Sequence, residues 1–356
     1  MIAAGDDRRR RSVTRESESV SEQAGGGRPV LVLFFMAPFT GEFLLGNLTL
    51  TELPLGVLLA PLYGFGAIVV REVGRRSGGW ASIAVLAVAY ALIEEGPVDQ
   101  LLWNSDYAGV DYVNGPGHIE AFGLNVMTVQ VVIAIHAVWS ICVPIALTES
   151  LHPRRAREPW LTRRGLVLIG LLYVVAAALV CWGNWIEEQF WASPAQIGSM
   201  AVLIAALIVV GIRLQPASVA VPAAAPPPPV AVAAVILAFT SIYWGPLNLT
   251  SSTVVAWLGF ALWWLVAAAG IGLLLRWSGS RSWSATHRYS AAAGATLTYV
   301  WVAFPLQPEG GSRAVDIGSN VVFGLLALVI LAAAGRRAIR SDQAIESEDR
   351  QAESTT

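Results

Sequence analysis

The chain contains no lysine, only two cysteines (Cys142 and Cys181) and only four histidines, and 13% of its 356 residues are charged. Each shortage excludes something. Two isolated cysteines cannot build a disulfide scaffold, a CxxC redox pair or a cysteine-based zinc site. They fall toward opposite faces of neighbouring segments, so they read as reduced packing residues. His118, His152 and His287 lie in connecting segments without metal-ligand spacing. There is no Walker loop, no dinucleotide fingerprint and no HExxH sequence. The NLT triplets at 47–49 and 248–250 match a glycosylation sequon, a short pattern that assigns no function.

What the chain has in quantity is apolar sequence. Hydrophobic residues make up 55% of it, and the mean hydropathy is +0.59. A helix needs about 20 apolar residues to cross a bilayer, and runs of that order recur throughout, with none of the alternating segments of a barrel. The expected fold is therefore all-α, a polytopic integral-membrane helical bundle of about ten transmembrane helices. The expected spans are 29–48, 54–71, 80–96, 123–147, 166–186, 195–212, 230–247, 254–275, 289–305 and 316–335. Residues 1–28 and 336–356 read as disordered cytoplasmic tails. A Pro/Ala-rich linker at 213–229 divides a six-helix unit (29–212) from a four-helix unit (230–335).

Charge sets the orientation. All 23 cations are arginines. On the ten-span count every one except Arg313 falls on a single side, with the N-terminal arginine run. The positive-inside rule then places both termini in the cytoplasm. That distribution accounts for the arginines without nucleic acid. Arginine in place of lysine, with abundant Ala, Gly and Pro, points to GC-rich coding and a bacterial source, hence an inner (plasma) membrane location. Most tryptophans, including Trp80, Trp160, Trp185, Trp244 and Trp277, fall near span ends, as interfacial belt residues do. The outward connection 97–122 mixes Trp and Tyr with Asn, Asp and Gly, and reads as an interfacial loop or a lid.

Ionisable groups inside spans are the functional lead, because a central charge costs about 2.5–3.5 kcal/mol to insert. Glu94 and Glu95 close the third span, His136 lies in the fourth and Glu42 in the first, with Asp99 just beyond Pro97. At about 1.5 Å per residue, Glu94 is expected in the outer third and His136 near mid-membrane, a difference in level of about 5–10 Å by the same rise. Adjacent helical residues point about 100° apart, so only one of the two glutamates is expected to aim at a given partner. Gly96 and Pro97 are expected to end or kink the helix. Arg71 and Glu72 read as an ion pair at the inner leaflet.

A Glu-Glu pair ending one span, followed by a histidine in the next, resembles the CPBP (Abi, CAAX-protease-like) and PrsW-type intramembrane proteases, over about residues 85–145. The resemblance implies water activation by Glu94 or Glu95, with His136 as the orienting or oxyanion group, and a membrane-embedded peptide as substrate. Asp99 stands where the family pattern has a cation, and no second intramembrane histidine is present. Two other readings stay open. One is a transporter or proton-coupled permease using Glu42, Glu94 and His136 on a small molecule. The other is a non-catalytic scaffold or partner subunit. No cofactor is evident, and a divalent metal at the Glu/His site is an open alternative that the spacing does not support.

The orientation is directly testable. In a chain carrying Cys142→Ala and Cys181→Ala, a Gly310→Cys probe should react with a membrane-impermeant maleimide on intact cells. A Ser280→Cys probe should not. The opposite pattern would invert the topology.

Overall fold

The computed structural model describes residues 27–215, 223–247, 252–306 and 312–354. Most of the expected N-terminal tail and part of the linker lie outside the described residues. Each expected span falls on a helix, as an apolar chain in a bilayer requires when every backbone group must bond internally. The helices are α1 (27–38), α2 (Leu53–Arg76), α3 (Trp80–Ile93), α4 (Val126–Val132), α5 (Val143–Leu151), α6 (Arg163–Glu188), α7 (Pro194–Arg213), α8 (Pro229–Leu247), α9 (Thr253–Ser278), α10 (Ala285–Val302) and α11 (Arg313–Ser354). Among the described residues seven helical segments are long and apolar enough to cross a membrane. α4 and α5 are two parts of one such segment, Val126–Leu151.

Wide helical turns interrupt three of the spans. Phe39–Phe43 extends α1, Glu94–Val98 extends α3, and Ile133–Cys142 joins α4 to α5. In each, a backbone N–H reaches the carbonyl five residues back: Leu44 to Phe39, Asp99 to Glu94, Val143 to Val138. Proline accompanies all three, at 38, 97 and 144. A proline in a helix has no N–H to give and its ring crowds the carbonyl four residues earlier, and a widened turn relieves both. The carbonyl left over by Pro144 on the five-residue pattern is that of Trp139. The Thr40 hydroxyl of the α1 wide turn fills that place, donating to the Trp139 carbonyl at 2.8 Å.

The Val126–Leu151 span is apolar on both sides and belongs to two hydrophobic cores. Ala137, Ile141 and Ile145 pack with α1, α2 and α3. Trp139, Val143 and Leu147 pack with α8, α10 and α11. Trp139 stacks on Tyr299 at 4.5 Å and 7°, and its indole N–H donates to the Ala295 carbonyl at 2.8 Å. The six-helix and four-helix groups therefore meet along this span. α9 packs on α8 and turns Val254, Leu258, Leu265 and Ile271 outward. α6 likewise exposes Val167, Leu171 and Leu179, as lipid-facing helices do.

Several residues differ from the sequence reading. Residues 336–354, expected as a disordered tail, continue α11 as helix. Asp342 on this extension accepts from the backbone N–H groups of Ala285 and Thr286 at 3.0 and 2.9 Å. It thereby caps the free donors at the start of α10. Trp160, Trp244 and Trp277 are buried core residues, not belt residues. Arg313, the arginine that the ten-span count sets apart from the rest, bonds the Phe304 and Leu306 carbonyls beyond the end of α10 and pairs with Asp316.

The Arg71–Glu72 pair is the centre of a larger buried network. Arg71 bonds Glu72 at 2.6 Å, Glu149 at 3.1 Å and the carbonyls of Arg155 and Ala156. Trp160 stacks over its guanidinium at 3.4 Å. Glu72 also accepts from the backbone N–H groups of Trp160 and Leu161. The 152–162 connection is thus fastened to α2 and α5. Removing one member leaves a desolvated charge, at a cost of about 3–5 kcal/mol. Glu72→Ala should lower the melting temperature of the detergent-solubilised protein by several degrees, and Glu158→Ala, at an exposed glutamate, should leave it unchanged.

Candidate functional site

The polar groups of four spans converge at one buried point. His136 stands between Glu94 and Glu95: Nδ1 is 2.9 Å from Glu94 Oε2 and Nε2 is 2.8 Å from Glu95 Oε1. All three side chains are enclosed, at 1%, 6% and 5% exposure for Glu94, Glu95 and His136. The expected mismatch in depth does not keep them apart. The expectation that one glutamate at most could address the ring is overturned as well. An imidazole carries nitrogens on two edges, and the wide turn that begins at Glu94 sets both carboxylates beside it. The Ser140 hydroxyl lies 3.4 Å from Nδ1, one turn along the same span.

The secondary polar residues flank this clamp. Glu42, in the α1 wide turn, accepts from the Tyr63 hydroxyl and from the Asn47 amide at 3.2 Å. The Tyr63 ring lies 6.1 Å from the His136 ring, which places Glu42 beside the clamp without direct contact. Asp99 accepts from the Asn184 amide at 2.8 Å and interacts electrostatically with Glu95, Glu94 and His136. No arginine among the described residues pairs with any of these four carboxylates.

Chemically, the Nε2–Glu95 contact is an aligned hydrogen bond with a proton between nitrogen and oxygen, whereas the Nδ1–Glu94 contact is a close ion-pair approach. The three groups together can share protons, as an acid–base centre requires. Among the described residues no set of three or more His, Cys, Asp and Glu side chains has metal-holding geometry.

The surrounding residues were not singled out by sequence. Tyr63 on α2, Tyr90 on α3 and Tyr173 on α6 each interact with Glu94. Tyr90 had a usable signal, since it precedes Glu94 by four residues and so shares its helix face. Tyr63 and Tyr173 had none. Glycines make room for the rings. A Cβ at Gly66 would lie 2.2 Å from the Tyr90 ring and 3.2 Å from that of Tyr173, and one at Gly41 would lie 2.8 Å from the Ser140 hydroxyl.

The 97–122 connection is an ordered structure. It contains a short hairpin pairing His118–Ile119 with Leu124–Asn125. Asp111 accepts from the N–H groups of Asn114 and Val113, which hold its carboxyl below the ordinary range. Gln100, at φ 60°, accepts from the Ala192 N–H at 2.7 Å, and Asn104 donates to Glu188 at 3.1 Å. These bonds fasten the connection to the end of α6 and the segment leading into α7.

A multi-span helical bundle enclosing a carboxylate–imidazole cluster defines the class: a polytopic α-helical membrane protein with an intramembrane polar site. The chain belongs to the uncharacterized membrane protein family, whose match spans residues 31–340 and so contains every site residue. No curated protein and no solved structure matches it.

The packing predicts a specific sensitivity. Gly66→Ala should cost about 1–3 kcal/mol by overpacking. Gly170→Ala, where a Cβ would meet nothing within 4 Å, should be neutral or slightly stabilising. Thermal unfolding in detergent distinguishes the two.

Proposed function

We propose that the Glu94–His136–Glu95 clamp is the acid–base centre of an intramembrane hydrolase acting on a membrane-embedded peptide. The observation that carries this reading is the double engagement of one buried imidazole by two carboxylates, all three within hydrogen-bond reach. A buried carboxylate next to an imidazole has what water activation needs: a proton acceptor, and a neighbour that fixes its position and shares its proton. The three wide turns support the same reading, since such insertions into helices are frequent at functional sites. All three carry residues of this cluster. The resemblance of the Glu-Glu and His pattern to CPBP and PrsW-type proteases agrees with it.

In this reading Glu94 is the general base. Glu95 accepts the Nε2 contact and sets the ring, and His136 holds Glu94 through Nδ1. The test uses full-length protein reconstituted in liposomes with a pool of apolar single-span peptides, followed by mass spectrometry. The wild type should cleave members of the pool. Glu94→Gln and His136→Ala should each lower turnover about 100-fold or more. Turnover unchanged in both variants, or no cleavage by the wild type, overturns the proposal.

A second reading has its own support. Glu42 with Tyr63 on one side, and Asp99 with Asn184 on the other, extend the clamp into a longer polar series without a fixed cation. A proton-coupled permease would use such a series. It predicts substrate-dependent proton uptake in proteoliposomes that is lost in Glu42→Gln.

A further inference from the structure

The cluster is rich in acceptors and short of free donors. Glu42, Glu94, Glu95 and Asp99 all accept. Both nitrogens of His136 are held by carboxylates. The Tyr63 hydroxyl is spent on Glu42, and the Asn184 amide on Asp99. Hydrolysis of a carbonyl compound develops negative charge on the carbonyl oxygen, and that oxygen needs a donor aimed at it. His136, whose nitrogens are both engaged, is poorly placed for that task.

Tyr90 is placed for it. It lies one helical turn before Glu94, is 2% exposed and interacts directly with that carboxylate. Its hydroxyl is directed at Glu94 and has no other partner among the described residues. Its ring is held firmly, between Gly66, which has no side chain to obstruct it, and Tyr173, 6.0 Å away.

We propose that Tyr90 is the oxyanion donor of this site and that the substrate group is a neutral carbonyl, an amide or ester. The proposal rests on the hydrolase reading above. The four carboxylates, none of them paired with a described arginine, disfavour an anionic substrate group. In the reaction, the oxygen of water bonds to the carbonyl carbon while its proton passes to Glu94. The carbonyl π pair moves onto oxygen, which the Tyr90 O–H stabilises. Collapse restores the carbonyl and breaks the bond to the amine or alkoxide, which leaves with the proton held by Glu94.

The test compares full-length wild type, Y90F and E94Q in lipid nanodiscs. Cleavage is read with a quenched fluorogenic single-span peptide. Binding is read by fluorine NMR with a peptidyl trifluoromethyl ketone, whose hydrate mimics the tetrahedral species. Y90F should lower kcat about 100-fold with KM nearly unchanged, and should weaken ketone binding at least tenfold. A Y90F protein equal to wild type in both assays overturns the Tyr90 role and leaves the hydrolase reading standing. A wild type that neither cleaves nor binds overturns both. Should Y90F fail to fold, a fluorotyrosine introduced at position 90 alone replaces it. Its more acidic hydroxyl should shift the pH profile of cleavage, and an unmoved profile overturns the proposal.

Discussion

Everything at the polar site depends on helical turns that are one residue too wide. In a regular helix Glu94 and Glu95 would diverge, and Pro97 would leave a backbone carbonyl without its donor. The five-residue bond from Asp99 to Glu94 removes both difficulties in one local change. The same change in the Val126–Leu151 span frees the Trp139 carbonyl for Thr40. A hydroxyl from α1 thereby fixes the backbone that carries His136. Local backbone chemistry, set by three prolines, decides where the ionisable groups go. Packing then holds them there, with glycines at 41 and 66 clearing the paths of Ser140 and the tyrosines.

The two charged clusters of the molecule follow different rules. The Arg71–Glu72–Glu149 network is balanced, with cations against anions and every strong donor met by a carboxylate or carbonyl. Such a group specifies how a connection docks and has little left to offer a ligand. The Glu94–His136–Glu95 cluster is unbalanced, with carboxylates in excess and buried hydroxyls at its edge. Its components can be satisfied only by sharing protons or by an outside group. That contrast in charge balance, more than burial, separates the two clusters.

Much of the architecture was legible from hydropathy, because lipid imposes helices and sets their length. The site was legible in part. Glu94, Glu95 and His136 stood out as ionisable groups in apolar sequence. Their meeting did not, because rise per residue and regular-helix angles both argued against it, and both fail at a widened turn. Tyr63 and Tyr173 look like ordinary core aromatics until their neighbours are known. The helical course of residues 336–354 was hidden for another reason. That stretch has no apolar face, and it is tied to the bundle by Asp342, whose partners are backbone groups 56 and 57 positions away.

The Val126–Leu151 span has a mechanical consequence. Alternate sides of it are built into different cores, so it works as a party wall between the two halves of the bundle. A shift of that wall large enough to admit a guest beside His136 would be felt at Tyr299 and the helices around it. The four-helix half, which contributes none of the clamp's side chains, thus leans on the same wall that carries His136.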